Sequence, residues 1–137
     1  MTTLATVTFL VRDYDEAIAW FTTCLGFRLV EDTALSDARR WVVVEARDGG
    51  SQLLLARADG PEQEAAIGRA AGGRVAFFLR ADDFARAHSA MLEKGVKFRE
   101  EPRFEAYGTV AVFEDLYGNG WDLIERRMSA LTSPPPA

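Results

Sequence analysis

A chain of 137 residues, 48% of them hydrophobic, can bury one ordinary core, and domain-size statistics point to a single folding unit. Sixteen basic against 21 acidic residues leave a net charge of −5, which argues against nucleic acid as the partner. No apolar run approaches the roughly 18 residues of a membrane span. The opening MTTLATVTF has no basic leader before an apolar segment, and the lone Cys24 cannot form an intrachain disulfide, so a reducing cytoplasm is expected.

In chain order, Leu4 to Val11 alternates as a first strand. Asp13 is a natural helix cap with Glu16 three residues on, as a capping box requires. Ala17, Trp20, Phe21, Cys24 and Leu25 then form one apolar stripe at helical spacing. Gly26 can supply the left-handed cap that ends the helix. Phe27 to Asp32 is read as a second strand and Arg40 to Ala46 as a third. Asp48-Gly49-Gly50 is a hairpin signal leading into a fourth, Gln52 to Arg57.

Residues 58–73 hold Pro61 and several glycines around a short helical piece, and read as a linker or a flap. The order then repeats: strand Arg74 to Leu79, helix Asp82 to Lys94, strand Gly95 to Glu101, strand Gly108 to Phe113, a turn over EDLYGNG, and strand Trp121 to Glu125. The proline-rich residues 129–137 are expected to be disordered.

The two halves match at a constant displacement of 68 positions. Val7 falls on Val75, Phe9 on Phe77, Arg12 on Arg80, Val42 on Val110, Val44 on Val112, Gly50 on Gly118 and Leu55 on Leu123. Identity at one offset across several strands points to an internal duplication, each copy too small to bury a sheet face alone.

VRDYDEAIAWF with LGF in the first half, and VFEDLYGNGWDLIE near the end, resemble the vicinal oxygen chelate superfamily, also called the glyoxalase, bleomycin-resistance and extradiol-dioxygenase superfamily. The resemblance covers about residues 4 to 126. It implies an α+β fold of two tandem βαβββ modules whose mixed sheets curl into a cup. One domain over residues 1–128 is expected, with modules at 4–57 and 74–126. The superfamily spans isomerases, oxygenases, transferases and non-catalytic antibiotic binders, so fold alone does not choose the activity.

Metal-dependent members of the resembled family take His or Glu ligands from the first and fourth strands of each module. Those positions here are Thr6, Leu54, Arg74 and Asp122. Only Asp122 is a conventional ligand, and Arg74 brings a fixed cation to the place of a metal. The expectation is therefore no catalytic metal and no cofactor, with an Arg74–Asp122 pair bridging the cup instead and holding the carboxylate at a low pKa. Both residues are also the candidates for catalysis, should there be any.

Alternation places Thr6, Thr8, Gln52, Leu54, Arg74, Phe78 and Asp122 on the cup side, with Trp41 and Tyr107 as aromatic walls suited to a flat organic ligand. Trp121 should point away from Asp122, toward the helix layer. Trp41 falls on Thr109 in the repeat, a departure where an asymmetric ligand could be read. Glu100, Glu101, Glu105 and Glu114 form an acidic group that could attract a cationic ligand or be a solvated face. His88, the only histidine, falls on a helix and is read as structural, as is Cys24.

The leading expectation is a homodimer that binds an antibiotic or metabolite. The alternative is a glyoxalase- or dioxygenase-like enzyme, with a remodelled divalent-metal site or a metal-free Arg74/Asp122 site. A third reading is an interaction module whose cup is filled by its own side chains.

Overall fold

A computed structural model of the chain describes residues 1–127; the tail expected to be disordered lies outside the described residues. The chain divides into two compact units, Met1–Ala70 and a second beginning at Ala71. Among the described residues, no helix is long and apolar enough to cross a membrane.

In the first unit the elements are β1 (Thr6–Val11), α1 (Tyr14–Cys24), β2 (Arg28–Ala34), β3 (Arg40–Glu45), β4 (Gln52–Arg57) and the short α2 (Pro61–Ala66). Asp13 has extended backbone and accepts the Glu16 N–H at 2.8 Å, so the expected cap forms. Gly26, at φ +67°, ends the helix. The sheet runs in the order β1-β4-β3-β2, with β1 and β4 parallel and the other pairs antiparallel.

Period-two alternation then sorts the side chains. Phe9, Val11, Val42, Val44, Leu53 and Leu55 are buried on the face that α1 covers, where Phe9 meets Phe21 edge-on at 5.2 Å. The buried helix positions are Tyr14, Ala17 and Phe21, while Trp20, Cys24 and Leu25 of the expected stripe are only half-buried. Tyr14 draws the helix over: its hydroxyl accepts the Arg40 N–H at 3.2 Å, and the Arg40 and Arg57 guanidinium groups lie over its ring.

The second unit contains β5 (Val75–Arg80), α3 (Phe84–Glu93), β6 (Lys97–Phe98), β7 (Arg103–Glu105), β8 (Gly108–Glu114) and β9 (Gly120–Arg126). Asp83 caps α3, accepting the Arg86 N–H. The order is β5-β9-β8-β6, with β7 also pairing β8. Phe77, Phe113 and Trp121 pack together on the helix side.

The strand expected over Gly95 to Glu101 is a correction. Only Lys97–Phe98 pairs, and a separate β7 follows it. Pro102 has no N–H to donate to a ladder. The Glu100 carboxylate fills the gap instead, accepting the Val112 N–H at 2.9 Å.

A second departure lies in register. Phe9 pairs with Leu55 in the first unit, whereas in the second Leu79, not Phe77, pairs with Leu123. An irregularity between Val75 and Phe77 lets β5 slip by two residues against β9. Because side chains alternate with period two, a two-residue slip preserves which face each occupies but moves it along the strand.

Candidate functional site

Each sheet has one face turned away from its helix. In the first unit that face carries Thr6, Thr8, Gln52, Leu54 and Trp41, as alternation requires. Thr6 lies opposite Gln52, and Thr8 opposite Leu54. Gln52 donates to Glu45 Oε2 at 3.0 Å, and Arg28 pairs with the other Glu45 oxygen. Those two donors hold the Glu45 carboxyl below the usual carboxylate range. Trp41 is 40% exposed and donates its indole N–H to Glu31 at 3.0 Å. Thus Gln52 is occupied inside the protein, while the Trp41 ring remains open to contact.

In the second unit the corresponding face centres on Asp122, with Phe78 opposite it on β5 and Val112 opposite it on β8. Phe78 is 62% exposed. The Arg74–Asp122 pair expected from sequence is not formed. Arg74 is exposed just before β5, and its backbone N–H bonds to the Ala71 carbonyl. The slip of β5 widens the gap: the residue level with Asp122 is Phe78, where the register of the first unit would put Ala76, so Arg74 stands four positions short of it instead of two.

The guanidinium near Asp122 belongs to Arg103, which sequence reasoning passed over. Its Nε donates to Glu100 at 2.8 Å and its Nη1 to Glu105 at 3.0 Å, and Tyr107 adds a further hydrogen bond. Shared among these partners, Arg103 does not bind Asp122 directly. Burial raises the Asp122 pKa above the ordinary aspartate value; Arg103 opposes the rise and Glu100 adds to it. The low pKa expected beside Arg74 is corrected accordingly. Asp122 Oδ1 is buried without a hydrogen-bond partner among the described residues.

The acidic group is also reassigned. Glu100 and Glu105 both serve Arg103, and Glu114 pairs with Arg99 at 2.9 Å and Lys97 at 3.7 Å, which lowers its pKa. Only Glu101 of the four is fully exposed. The signal that could have found Arg103 is its position between Glu100 and Glu105, a cation flanked by carboxylates within six residues at the start of β7.

The donors present do not fit a divalent metal. Thr6 and Leu54 offer no anionic ligand, Arg74 is a cation, and among the described residues no three His, Cys, Asp or Glu side chains gather to hold an ion. His88 stacks on Phe84 at 5.4 Å and meets Phe98 edge-on at 4.5 Å. It lines a groove of about 460 Å³ beside α3 with Leu92, Phe98, Arg99, Glu100 and Glu101. Trp121 is 3% exposed and points to the helix layer, as alternation requires.

Residues 3–123 match the sequence profile of the Glyoxalase/Bleomycin resistance protein/Dioxygenase superfamily. Over 121 residues the chain is 51% identical to an uncharacterized protein of Shewanella frigidimarina (strain NCIMB 400), covering 87% of this chain and 90% of that one. Of solved structures, UcmS2 superposes with a TM-score of 0.78 at 28% identity, over 90% of this chain and 98% of that one. TnmS3, an antibiotic binding protein from Streptomyces sp. CB03234, superposes with a TM-score of 0.73 at 22% identity, over 93% of this chain and 98% of that one. At that identity the likeness is one of fold.

Proposed function

The chain belongs to the Glyoxalase/Bleomycin resistance protein/Dioxygenase superfamily, and we propose that within it this protein is a cytoplasmic homodimer that binds a small organic molecule, an antibiotic or a metabolite, without a catalytic metal. The observation that carries this reading is the exposed Phe78 ring level with Asp122 on a helix-free sheet face. An aromatic surface beside one polar group suits a flat organic molecule. The poverty of metal donors at Thr6, Leu54, Arg74 and Asp122 supports it from the side of coordination chemistry. That a protein of the same fold, TnmS3, is an antibiotic binder agrees with this use of the scaffold.

One observation favours a second reading. A carboxyl whose pKa is raised by burial, as at Asp122, is closer to what a general acid or base needs. A metal-free isomerase or lyase would use Asp122 in that role. Arg74, which precedes β5 and stands four positions short of the residue level with Asp122, would not assist it.

Metal analysis of protein purified without chelators or metal-affinity resin tests the reading first. It is joined to Zn²⁺, Ni²⁺, Mn²⁺ and Fe²⁺ titrations of wild type and Asp122→Ala. The expected result is no stoichiometric metal and no saturable binding near the micromolar range. About one metal per chain, lost in Asp122→Ala, would overturn it.

A further inference from the structure

We infer that Glu31 is a positioning residue: it fixes the Trp41 indole on the helix-free face of the first sheet, where a flat aromatic ring of the ligand stacks. This rests on the organic-ligand reading above and adds to it a contact on the first unit's own face.

The rows of the sheet bring these side chains together. Thr33 on β2 lies opposite Trp41 on β3, and Glu31, two residues along β2, lies opposite Val43. Glu31 and Trp41 therefore project from the same face, one row apart. One step beyond the Val42–Leu55 pair, Trp41 comes level with Ala56, and Ala56 is paired with Leu10 on β1. Ala56 has no side chain beyond Cβ, so the floor is low between Trp41 and Leu10, two strand spacings or about 10 Å apart. Leu10, Leu54 and Ala56 are half-buried, and Trp41 is 40% exposed. A flat molecule resting there covers apolar floor and meets the indole.

An exposed tryptophan on a strand has several staggered rotamers, and a ligand that needs one of them bears the cost of fixing it. The Trp41 N–H donates to Glu31 Oε2 at 3.0 Å, which selects one orientation before the ligand arrives. Asp32 and Glu45 each hold an arginine. Glu31 forms no ion pair among the described residues, and the indole is what it holds. Charge does not choose the ligand here: the Glu31 carboxylate and the exposed Arg39, two residues before Trp41, carry opposite signs. Ring shape is the selecting property.

The test titrates acridine and phenazine, neutral flat tricycles near pH 8, into the full chain by calorimetry. Trp41→Leu should weaken binding about tenfold. Glu31→Ala should weaken it about threefold, while Glu31→Gln, which keeps an oxygen for the indole N–H, stays close to wild type. In a Trp41→Leu background, Glu31→Ala should have no further effect, because the ring it positions is gone. Glu31 and Trp41 are both exposed, so these variants leave the core intact, and matching thermal melts check it. An equal loss from Glu31→Ala in both backgrounds, or none in either, would overturn the positioning role. Unchanged binding in Trp41→Leu, with a loss in Phe78→Leu, would overturn the Trp41 contact and leave the organic-ligand reading standing. Binding of neither probe to wild type would overturn both.

Discussion

Asp115 shows how much one side chain can organise. It is 6% exposed, and its two oxygens accept the Tyr117 and Asn119 N–H groups, the Asn119 amide and the Trp121 indole at 2.8 to 3.1 Å. The turn from β8 to β9 and the anchoring of Trp121 both depend on it. Asp115→Ala would leave several buried donors without an acceptor, each a cost of about 1–3 kcal/mol where water cannot enter. A loss of about 3 kcal/mol or more in urea denaturation is expected. Asp115→Asn, which keeps one acceptor oxygen, should recover part of it. A loss below about 1 kcal/mol for the alanine variant would contradict this account. The glycine-asparagine turn was legible in the sequence as turn chemistry, because those residue types have local preferences. That Asp115 was the hub was not, since its partners converge only once the strands pair.

Among the elements, β8 leaves no room for a side chain against β9 at Gly108. Its φ is +149°, and a Cβ built there would stand 2.0 Å from the Glu125 carbonyl oxygen. Backbone cannot move aside as a flexible side chain can, so Gly108→Ala should cost about 3 kcal/mol or more, or prevent the second sheet from forming. Gly118, at φ +89° with nothing within 4 Å of the same added atom, bears only the conformational penalty. Gly118→Ala should cost about 1–2 kcal/mol. Thermal melts of the two variants would separate steric from torsional causes, and equal losses would refute the distinction. Strand and helix positions were largely readable: α1, its Asp13 cap and all of β4 are where pattern and capping place them. The break between β6 and β7 was hidden, because a carboxylate substituting for a ladder partner leaves no periodic trace. So was the slip of β5, whose alternation is the same at either register.

For the molecule as a whole, the net charge of −5 conceals carboxylates that respond to pH in opposite directions. Asp32, held by Arg40, and Glu45, held by Gln52 and Arg28, have lowered pKa values in the folded state, as does Glu114 beside Arg99. Their contribution is full above the unfolded-state value of about 4 and is lost as pH falls through the folded one. Asp122, raised by burial, has the opposite sign: its contribution is present in acid and lost as pH rises through its folded value. Urea midpoints measured from about pH 7 down to about pH 3 should therefore fall. Glu45→Gln should make that fall shallower, and Asp122→Asn should make it steeper. A steeper fall in Glu45→Gln would show that the Arg28 and Gln52 contacts do not hold its charge in solution.

What the sequence alone determined is local or repeated: strand and helix order, the helix caps, the duplication at 68 positions, the family, and the face on which each strand residue lies. These follow from spacing, and spacing survives without knowledge of any partner strand. What only the tertiary structure decided is which residues meet. Arg74 was expected at Asp122, but Phe78 stands there and Arg103 supplies the nearby charge. A two-residue slip changes neither hydrophobic pattern nor face, yet at about 3.3 Å per residue it carries a side chain past hydrogen-bonding distance.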